Sequence, residues 1–243
     1  MDKRLAKIIE DSKSVVFFGG AGVSTESNIP DFRSEKGLYQ AQQEYGCSPE
    51  EILSHTFFVN KTETFFDYYK KNLIYVDAEP NKAHKALAYL EDQGKLKAIV
   101  TQNIDGLHQK AGNKNVFELH GSVLRNYCMK CGKFYDLEYI MDEKNCDSGI
   151  PHCKECGGIV KPDVVLYEEA LDSDCMMAAI KAIEEADTLI IGGTSLVVYP
   201  AAGLIRYFKG NNLVLINKQS TPYDSKADLV INDYIGKVME IKE

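Results

Sequence analysis

Apolar positions fall into two alternating rhythms along the chain. Leu5, Ile8 and Ile9 recur at helical spacing and predict an amphipathic helix over 2–13. The unbroken apolar run Val15–Phe18 follows and reads as a buried strand. The pairing then repeats. Ala83, Ala86, Leu87 and Leu90 share one helical face, with Asn81 placed to cap the helix and Gly94 to close it. Strands are expected at Leu96–Thr101 and Val116–Leu119. Further along come a strand at Asp163–Tyr167, a helix carrying Met176, Met177, Ile180 and Ile183, and a strand at Thr188–Ile191. A helix near Ala201–Phe208 leads to strands at Leu213–Ile216 and Leu229–Ile231. Strands alternating with helices imply an α/β fold whose parallel sheet is covered on both faces.

Two stretches break this rhythm. From Ser34 to Glu79 the chain is polar, aromatic and lysine-rich, with a helix start at Pro49-Glu50-Glu51. Phe57, Phe58, Phe65, Phe66, Tyr68, Tyr69 and Leu73 point to helices packed by aromatics, a helical insertion or lid. Tyr127 to Gly158 is cysteine-rich and short of aliphatics. The organisation is one α/β domain interrupted twice, without an internal repeat or a low-complexity segment.

The length of 243 residues allows a sizeable core, and 44% hydrophobic with 26% charged residues is ordinary for a globular protein. The net charge of −8 argues against a general binder of nucleic acid or anionic membrane. An uncharged run of 18 residues, Thr188 to Ile205, holds Gly192, Gly193, Pro200 and Gly203, so it reads as strand, loop and helix rather than a membrane span. The opening MDKRLAKIIEDSK lacks the apolar core of a signal peptide, and a cytoplasmic location is expected. Seven cysteines in that compartment would be reduced, which favours metal binding or burial over disulfides.

Four of those cysteines form two pairs, Cys128-x2-Cys131 and Cys153-x2-Cys156, separated by 21 residues. Two such knuckles close a tetrahedral thiolate site on Zn²⁺, and four cysteine ligands leave no open position, so the metal is structural. Lys130, Lys133 and Lys154 can offset the thiolate charge. Cys146 and His152 fit the spacing less well and are expected to be bystanders, while Cys47 and Cys175 stand alone.

The other candidate chemistry sits at strand ends, where ligands bind in open α/β sheets. After Val15–Phe18 comes GGAGVSTESNIPDFR, in which Gly20 and Gly22 allow a sharp turn and a close approach to phosphate ahead of a helix start. A dinucleotide fingerprint would have a third glycine where Thr25 stands. Gln102, Asn103 and Asp105 leave another strand, where Asp105 can accept from an uncharged amide with Asn103 in support, or merely cap the loop. His120 ends the next strand and is a candidate general base, or a hydrogen-bonded structural histidine. Gly193, Thr194 and Ser195 offer amides and hydroxyls to phosphate or ribose, and Asn217 can reach a ribose hydroxyl.

Taken in order, GAGVSTESNIPDFR, PNKAH, TQNIDGLHQKAG, ELHGS, the two C-x-x-C pairs, KPDVVLYEE, GTSLVVYPAA and VLIN resemble the sirtuins of bacterial type, NAD-dependent protein-lysine deacylases, over nearly the whole chain. The resemblance implies a Rossmann-like NAD-binding domain over 1–33, 80–126 and 158–243. It implies a smaller domain made of a helical module over 34–79 and a zinc module over 127–157, with the active site in the cleft between them. It places Ala21, Thr25, Phe32 and Arg33 in the cofactor loop, and Gln102, Ile104 and Asp105, with Ser24 and Asn103 beside them, around the nicotinamide riboside. Thr194, Ser195, Asn217 and Tyr234 fall on the adenosine side, His120 on the catalytic base, and Cys128, Cys131, Cys153 and Cys156 on the zinc ligands.

The implied reaction joins the amide oxygen of acetyl-lysine to the nicotinamide ribose, expels nicotinamide, and transfers the acetyl group through a ribose hydroxyl deprotonated by His120. Its products are lysine and O-acetyl-ADP-ribose. Phe32 would shield the reacting face, and the backbone of Val164, Val165, Leu166 and Tyr167 would pair with the substrate as an added strand. The implied partners are acetyl-lysine proteins or peptides, with no nucleic acid or membrane, and the chain is expected to be a monomer.

Some positions depart from the family pattern. Asn28 and Glu168 stand where glycine is usual, and Asp163 where asparagine is frequent; the two acidic changes would favour basic peptides. Members that remove succinyl or malonyl groups carry a Tyr-x-x-Arg pair, which corresponds here to Phe66 and Tyr69, so an uncharged acyl group is expected. Mono-ADP-ribosyl transfer and a non-catalytic sensor of NAD or acyl-lysine are the alternatives. A hydride-transfer dehydrogenase is disfavoured by the missing glycine.

Overall fold

A computed structural model describes residues 1–31 and 35–241. The strands in chain order are β1 (Val15–Gly19), β2 (Leu96–Thr101), β3 (Val116–Glu118), β4 (Gly121–Cys128), β5 (Phe134–Tyr135), β6 (Cys146–Asp147), β7 (Ile150–Pro151), β8 (Val160–Val164), β9 (Thr188–Gly192), β10 (Asn212–Ile216) and β11 (Leu229–Ile231). Six of them form one sheet in the order β11-β10-β9-β1-β2-β3, every neighbouring pair parallel. The order runs outward in both directions from β1, so the connections diverge between β1 and β9. That divergence opens a crevice at the carboxyl ends of the two strands.

Alternation within β1 shows why the sheet is covered twice. Val15 and Phe17 face a cluster with Leu5, Ile9, Leu87, Leu90 and Val238. Val16 and Phe18 face a second one with Ala179, Ile183, Ala202 and Leu204. The period of two sends successive side chains to opposite faces, and both faces are dry.

The helices are α1 (Lys3–Asp11), α2 (Glu35–Tyr45), α3 (Pro49–Ile52), α4 (His55–Asn60), α5 (Thr62–Asn72), α6 (Lys82–Asp92), α7 (Leu107–Lys110), α8 (Leu137–Met141), α9 (Ser173–Glu184) and α10 (Ile235–Met239). Asp2 caps α1 by accepting from the backbone of Arg4 and Leu5. Asn81 caps α6 in a reciprocal box with His84. A third apolar cluster unites the aromatics of α4 and α5 with Tyr135 and Ile140 of the cysteine block. Val123, Val160, Val164 and Leu166 pack in it as well, so β4 and β8 connect this part to the main sheet.

Three local expectations change. The chain after β1 makes two 3₁₀ turns, Ala21–Val23 and Thr25–Ser27, instead of opening an α-helix, and Asn28 ends them at φ 62°. The strand expected at Asp163–Tyr167 ends at Val164, begins at Val160, and pairs antiparallel with β4 outside the main sheet. The segment Ala201–Tyr207 is a 3₁₀ helix.

Candidate functional site

The crevice at the β1–β9 divergence is built by close backbone packing. The Gly22 amide donates to the Gly193 carbonyl at 2.8 Å, and a β-carbon on Gly22 would lie 2.8 Å from the Gly193 Cα. A β-carbon on Gly20 would lie equally close to that of Thr194, at 2.8 Å. These glycines therefore let two strand-end loops pack closely together.

Ser24, on the first loop, sits at a polar junction. Its hydroxyl donates to Asp105 Oδ2 at 2.7 Å and accepts from Asn103 Nδ2 at 3.0 Å. The Leu107 amide donates to the other Asp105 oxygen at 2.9 Å. Burial pushes the Asp105 carboxyl above its ordinary 3.8, and the Leu107 and Ser24 donors oppose that rise. Asn81 braces the same loop by donating to the Val23 carbonyl at 2.8 Å and to the Ser27 hydroxyl at 2.9 Å.

His120 lies at the end of β3, half-buried. Its Nδ1 is 2.9 Å from the Gln102 carbonyl oxygen. A carbonyl only accepts, so Nδ1 carries a proton, and in the neutral tautomer this sets, the basic nitrogen is Nε2. The Gln102 side chain is 9% exposed, and its Nε2 is buried with no hydrogen-bond partner among the described residues. A buried amide donor of this kind can serve a ligand or a water that enters the site.

A cleft of about 220 Å³ gathers these groups: Ala21, Ser24, Gln102, Asn103, Ile104, Asp105 and His120 line it together with Val164, Val165, Leu166 and Tyr167. Leu53, Leu73, Tyr75, Ile29 and the turn Val198–Pro200 line it as well, and of these Leu53 and Tyr75 carry no reading from the sequence. The GTSLVVYPAA stretch was a signal for the turn, whereas the helical residues come from α-helical ends with no chemistry of their own. Gly20, Gly22, Thr25, Gly193, Thr194, Ser195, Asn217 and Tyr234 lie off this wall, on the strand-end loops beside it or at the start of α10. The Asn217 amide donates to the Gln219 carbonyl at 2.8 Å, and the Tyr234 hydroxyl accepts from Lys218 at 3.0 Å. Phe32 and Arg33 lie outside the described residues.

Phe66 and Tyr69 are fully buried in the aromatic cluster and do not line the cleft. The end of α5 contributes Asn72 instead, followed by Leu73 and Tyr75. Asp163 faces away from the cleft and accepts from Arg125 Nε at 2.8 Å, in a pair that Glu118 extends.

The four paired cysteines converge, with all their sulfurs within 4.8 Å of one another. Cys128 and Cys156 are 3.4 Å apart, and Cys131 and Cys153 are 3.6 Å apart. Thiolates around one Zn²⁺ at about 2.3 Å lie roughly 3.8 Å from each other, so the set fits that ion. The Tyr135 hydroxyl lies 3.1 Å from the Cys153 sulfur. Cys146 accepts from Lys70 at 3.3 Å and His152 Nδ1 donates to the Gly157 carbonyl at 3.1 Å, so both stand outside the cluster. Lys133 pairs with Glu155 at 2.5 Å.

A parallel sheet with a ligand crevice at its divergence, joined to a four-thiolate module, defines a dinucleotide-binding protein of the Rossmann-like class with a metal-stabilised small domain. A family description, Sir2 family, matches residues 20–200. The chain is 67% identical over 236 residues to a Clostridium acetobutylicum protein named NAD-dependent protein deacetylase, covering 97% of this chain and 95% of that one. A crystal structure of a Sir2 homolog–NAD complex superposes with a TM-score of 0.88 at 39% identity, covering 99% of this chain and 91% of the other. A Sir2–p53 peptide–NAD⁺ structure gives 0.85 at 36%, covering 98% and 95%. The chain belongs to the Sir2 family.

Proposed function

We propose that the protein is an NAD-dependent protein-lysine deacetylase, which converts acetyl-lysine and NAD to lysine, nicotinamide and O-acetyl-ADP-ribose. The observation that carries this reading is one cleft. It holds His120 with its tautomer set by Gln102, the Ser24–Asn103–Asp105 junction, and the Val164–Tyr167 segment. The relatives' name and the NAD and peptide complexes of similar folds support it.

When bound, NAD supplies a glycosidic carbon that can be attacked and the ribose hydroxyls that receive the acetyl group. Gly20, Ala21, Gly22 and Thr25 would hold it on the first loop, together with Phe32 and Arg33. Gly193, Thr194, Ser195, Asn217 and Tyr234 would hold its adenosine side. The unpartnered Gln102 amide supports a ligand acceptor at that point. Asp105 and Asn103 orient an uncharged carboxamide, which offers both a donor and an acceptor. Ile104 and Ile29 exclude water, which would otherwise hydrolyse NAD. His120 removes a hydroxyl proton at Nε2, and the Gln102 carbonyl stabilises the imidazolium that results. Cys128, Cys131, Cys153 and Cys156 hold Zn²⁺ as a structural ion, since their four sulfurs complete its shell.

On this reading 1–33, 80–126 and 158–243 form the NAD-binding domain, while 34–79 and 127–157 form the small domain; the shared aromatic cluster supports the second grouping. The protein acts as a cytoplasmic monomer on acyl-lysine proteins, without nucleic acid or membrane. The thiolate set, which needs reduced cysteines, supports the compartment, and the charge of −8 supports the absence of nucleic acid and membrane. No helix among the described residues is long and apolar enough to cross a membrane.

The test is incubation with an acetyl-lysine peptide and NAD, with products read by mass spectrometry. Deacetylated peptide with O-acetyl-ADP-ribose is expected, and His120→Ala should lower turnover about 10²- to 10⁴-fold. A peptide that keeps its acetyl group and gains ADP-ribose would replace deacetylation with mono-ADP-ribosyl transfer.

A further inference from the structure

The segment Val164–Tyr167 is held at both ends by backbone bonds. The Val165 amide donates to the His120 carbonyl at 3.0 Å. The Tyr167 amide donates to the Leu53 carbonyl, and the His55 amide donates to the Tyr167 carbonyl, each at 3.0 Å. One end is thus tied to the backbone of the candidate base and the other to the helical module.

Glu168 follows directly, on the cleft wall, with φ at 75°. A side chain with a β-carbon disfavours this left-handed conformation, so something must retain it. Its Oε2 accepts from the Thr56 amide at 2.8 Å and from the Thr56 hydroxyl at 2.7 Å. Glu169 turns the other way. Its carboxylate accepts from the Leu166 amide at 2.9 Å and Lys161 Nζ at 3.2 Å, and lies 3.0 Å from His55 Nδ1. Glu169 is half-buried among several partners, so its loss would disturb the fold itself. Glu168 is exposed, and its described side-chain bonds all go to Thr56.

We propose that Glu168 is a positioning residue for the acyl-lysine peptide: by gripping Thr56 it fixes the left-handed turn that ends the Val164–Tyr167 segment, and so sets peptide affinity without touching the chemical step. This rests on the deacetylase reading above. A glutamine keeps an acceptor oxygen for both Thr56 donors, whereas alanine keeps none. The carboxylate therefore acts through geometry, and its charge is not what the peptide meets.

The experiment compares wild type, Glu168→Ala and Glu168→Gln. It measures KM for an acetyl-lysine peptide, KM for NAD, kcat, and hydrogen exchange at the His55 and Tyr167 amides. Glu168→Ala should raise the peptide KM about five- to tenfold, the loss of a partly solvated charge-assisted pair of bonds. It should leave kcat and the NAD KM within about twofold and speed both exchanges. Glu168→Gln should restore peptide KM and exchange. A wild-type peptide KM in Glu168→Ala, or a fall in kcat alone, overturns the proposal. So does a Glu168→Gln defect as large as that of alanine, which would assign the effect to charge. If wild type does not deacetylate, the underlying reading fails, and the exchange still decides the coupling: unchanged exchange in Glu168→Ala overturns it.

Discussion

The Ser24 hydroxyl joins the Asp105 carboxylate at 2.7 Å across 81 positions of sequence, while accepting from Asn103. One hydroxyl thus ties the loop after β1 to the loop after β2 and aims a carboxylate at the cleft. Asp105→Asn keeps the shape but replaces a carboxylate oxygen by a donor. It should lower kcat/KM for NAD about 100-fold, and Ser24→Ala about tenfold, read as nicotinamide release at saturating peptide. Burial raises the Asp105 carboxyl, so it takes up its proton at a pH above the ordinary 3.8 as the solution is acidified. The acid limb of kcat/KM should lie correspondingly high, and Asp105→Asn should remove it.

The cleft wall bears on acyl selectivity. It holds no lysine or arginine among the described residues, while Asp105 is acidic. A succinyl or malonyl carboxylate would enter without a cationic partner and close to like charge. The kcat/KM for a succinyl-lysine peptide should fall at least about 100-fold below that for the acetyl-lysine peptide of the same sequence. A ratio reversed in favour of succinyl-lysine would contradict the geometry.

The thiolate module should bind one zinc per chain, measurable by elemental analysis after dialysis. Strong chelation should lower the melting temperature, because the cysteine block carries few aliphatics and shares a core with α4 and α5. Tyr135 is buried with its hydroxyl on Cys153. Removing that donor with Tyr135→Phe should speed zinc release to a chelator about tenfold with far-UV dichroism unchanged.

The parallel sheet was legible because each of its inner strands is a short apolar run between helical patterns, and β1, β2, β9 and β10 fall within a residue of the expected bounds. The run Val164–Tyr167 misled for a physical reason. Val164 still pairs in the β4–β8 ladder, but beyond it Leu166 is buried in the aromatic cluster and Tyr167 bonds to Leu53 and His55, so hydrophobicity marked burial past the end of the strand. The cysteine cluster was legible from residue type and spacing. The packing of Gly20 and Gly22 against Thr194 and Gly193 was not, because periodicity cannot bring those two loops together. The short α10 and the place of Leu53 and Tyr75 on the cleft wall escaped because their role depends on contacts distant in sequence.

His84 and His108 face each other with ring centroids 4.8 Å apart, at the start of α6 and within α7. Burial holds the His84 imidazole down at about 4, and burial with the neighbouring His84 holds His108 down at about 3. An unfolded histidine titrates near 6.5, so between that value and the native ones the unfolded chain binds protons that the fold refuses. Stability is therefore full above about pH 6.5 and declines as pH falls toward 4, by up to about 1.4 kcal/mol per pH unit for each histidine. Because α6 also caps at Asn81, which braces the first loop through Val23 and Ser27, acid loosening should reach NAD binding as well. Melting temperatures taken from pH 8 to pH 4 should fall over this window. His108→Asn, with one titrating group fewer, should show the decline reduced by about one proton. An unaltered slope in that variant would remove His108 from the account.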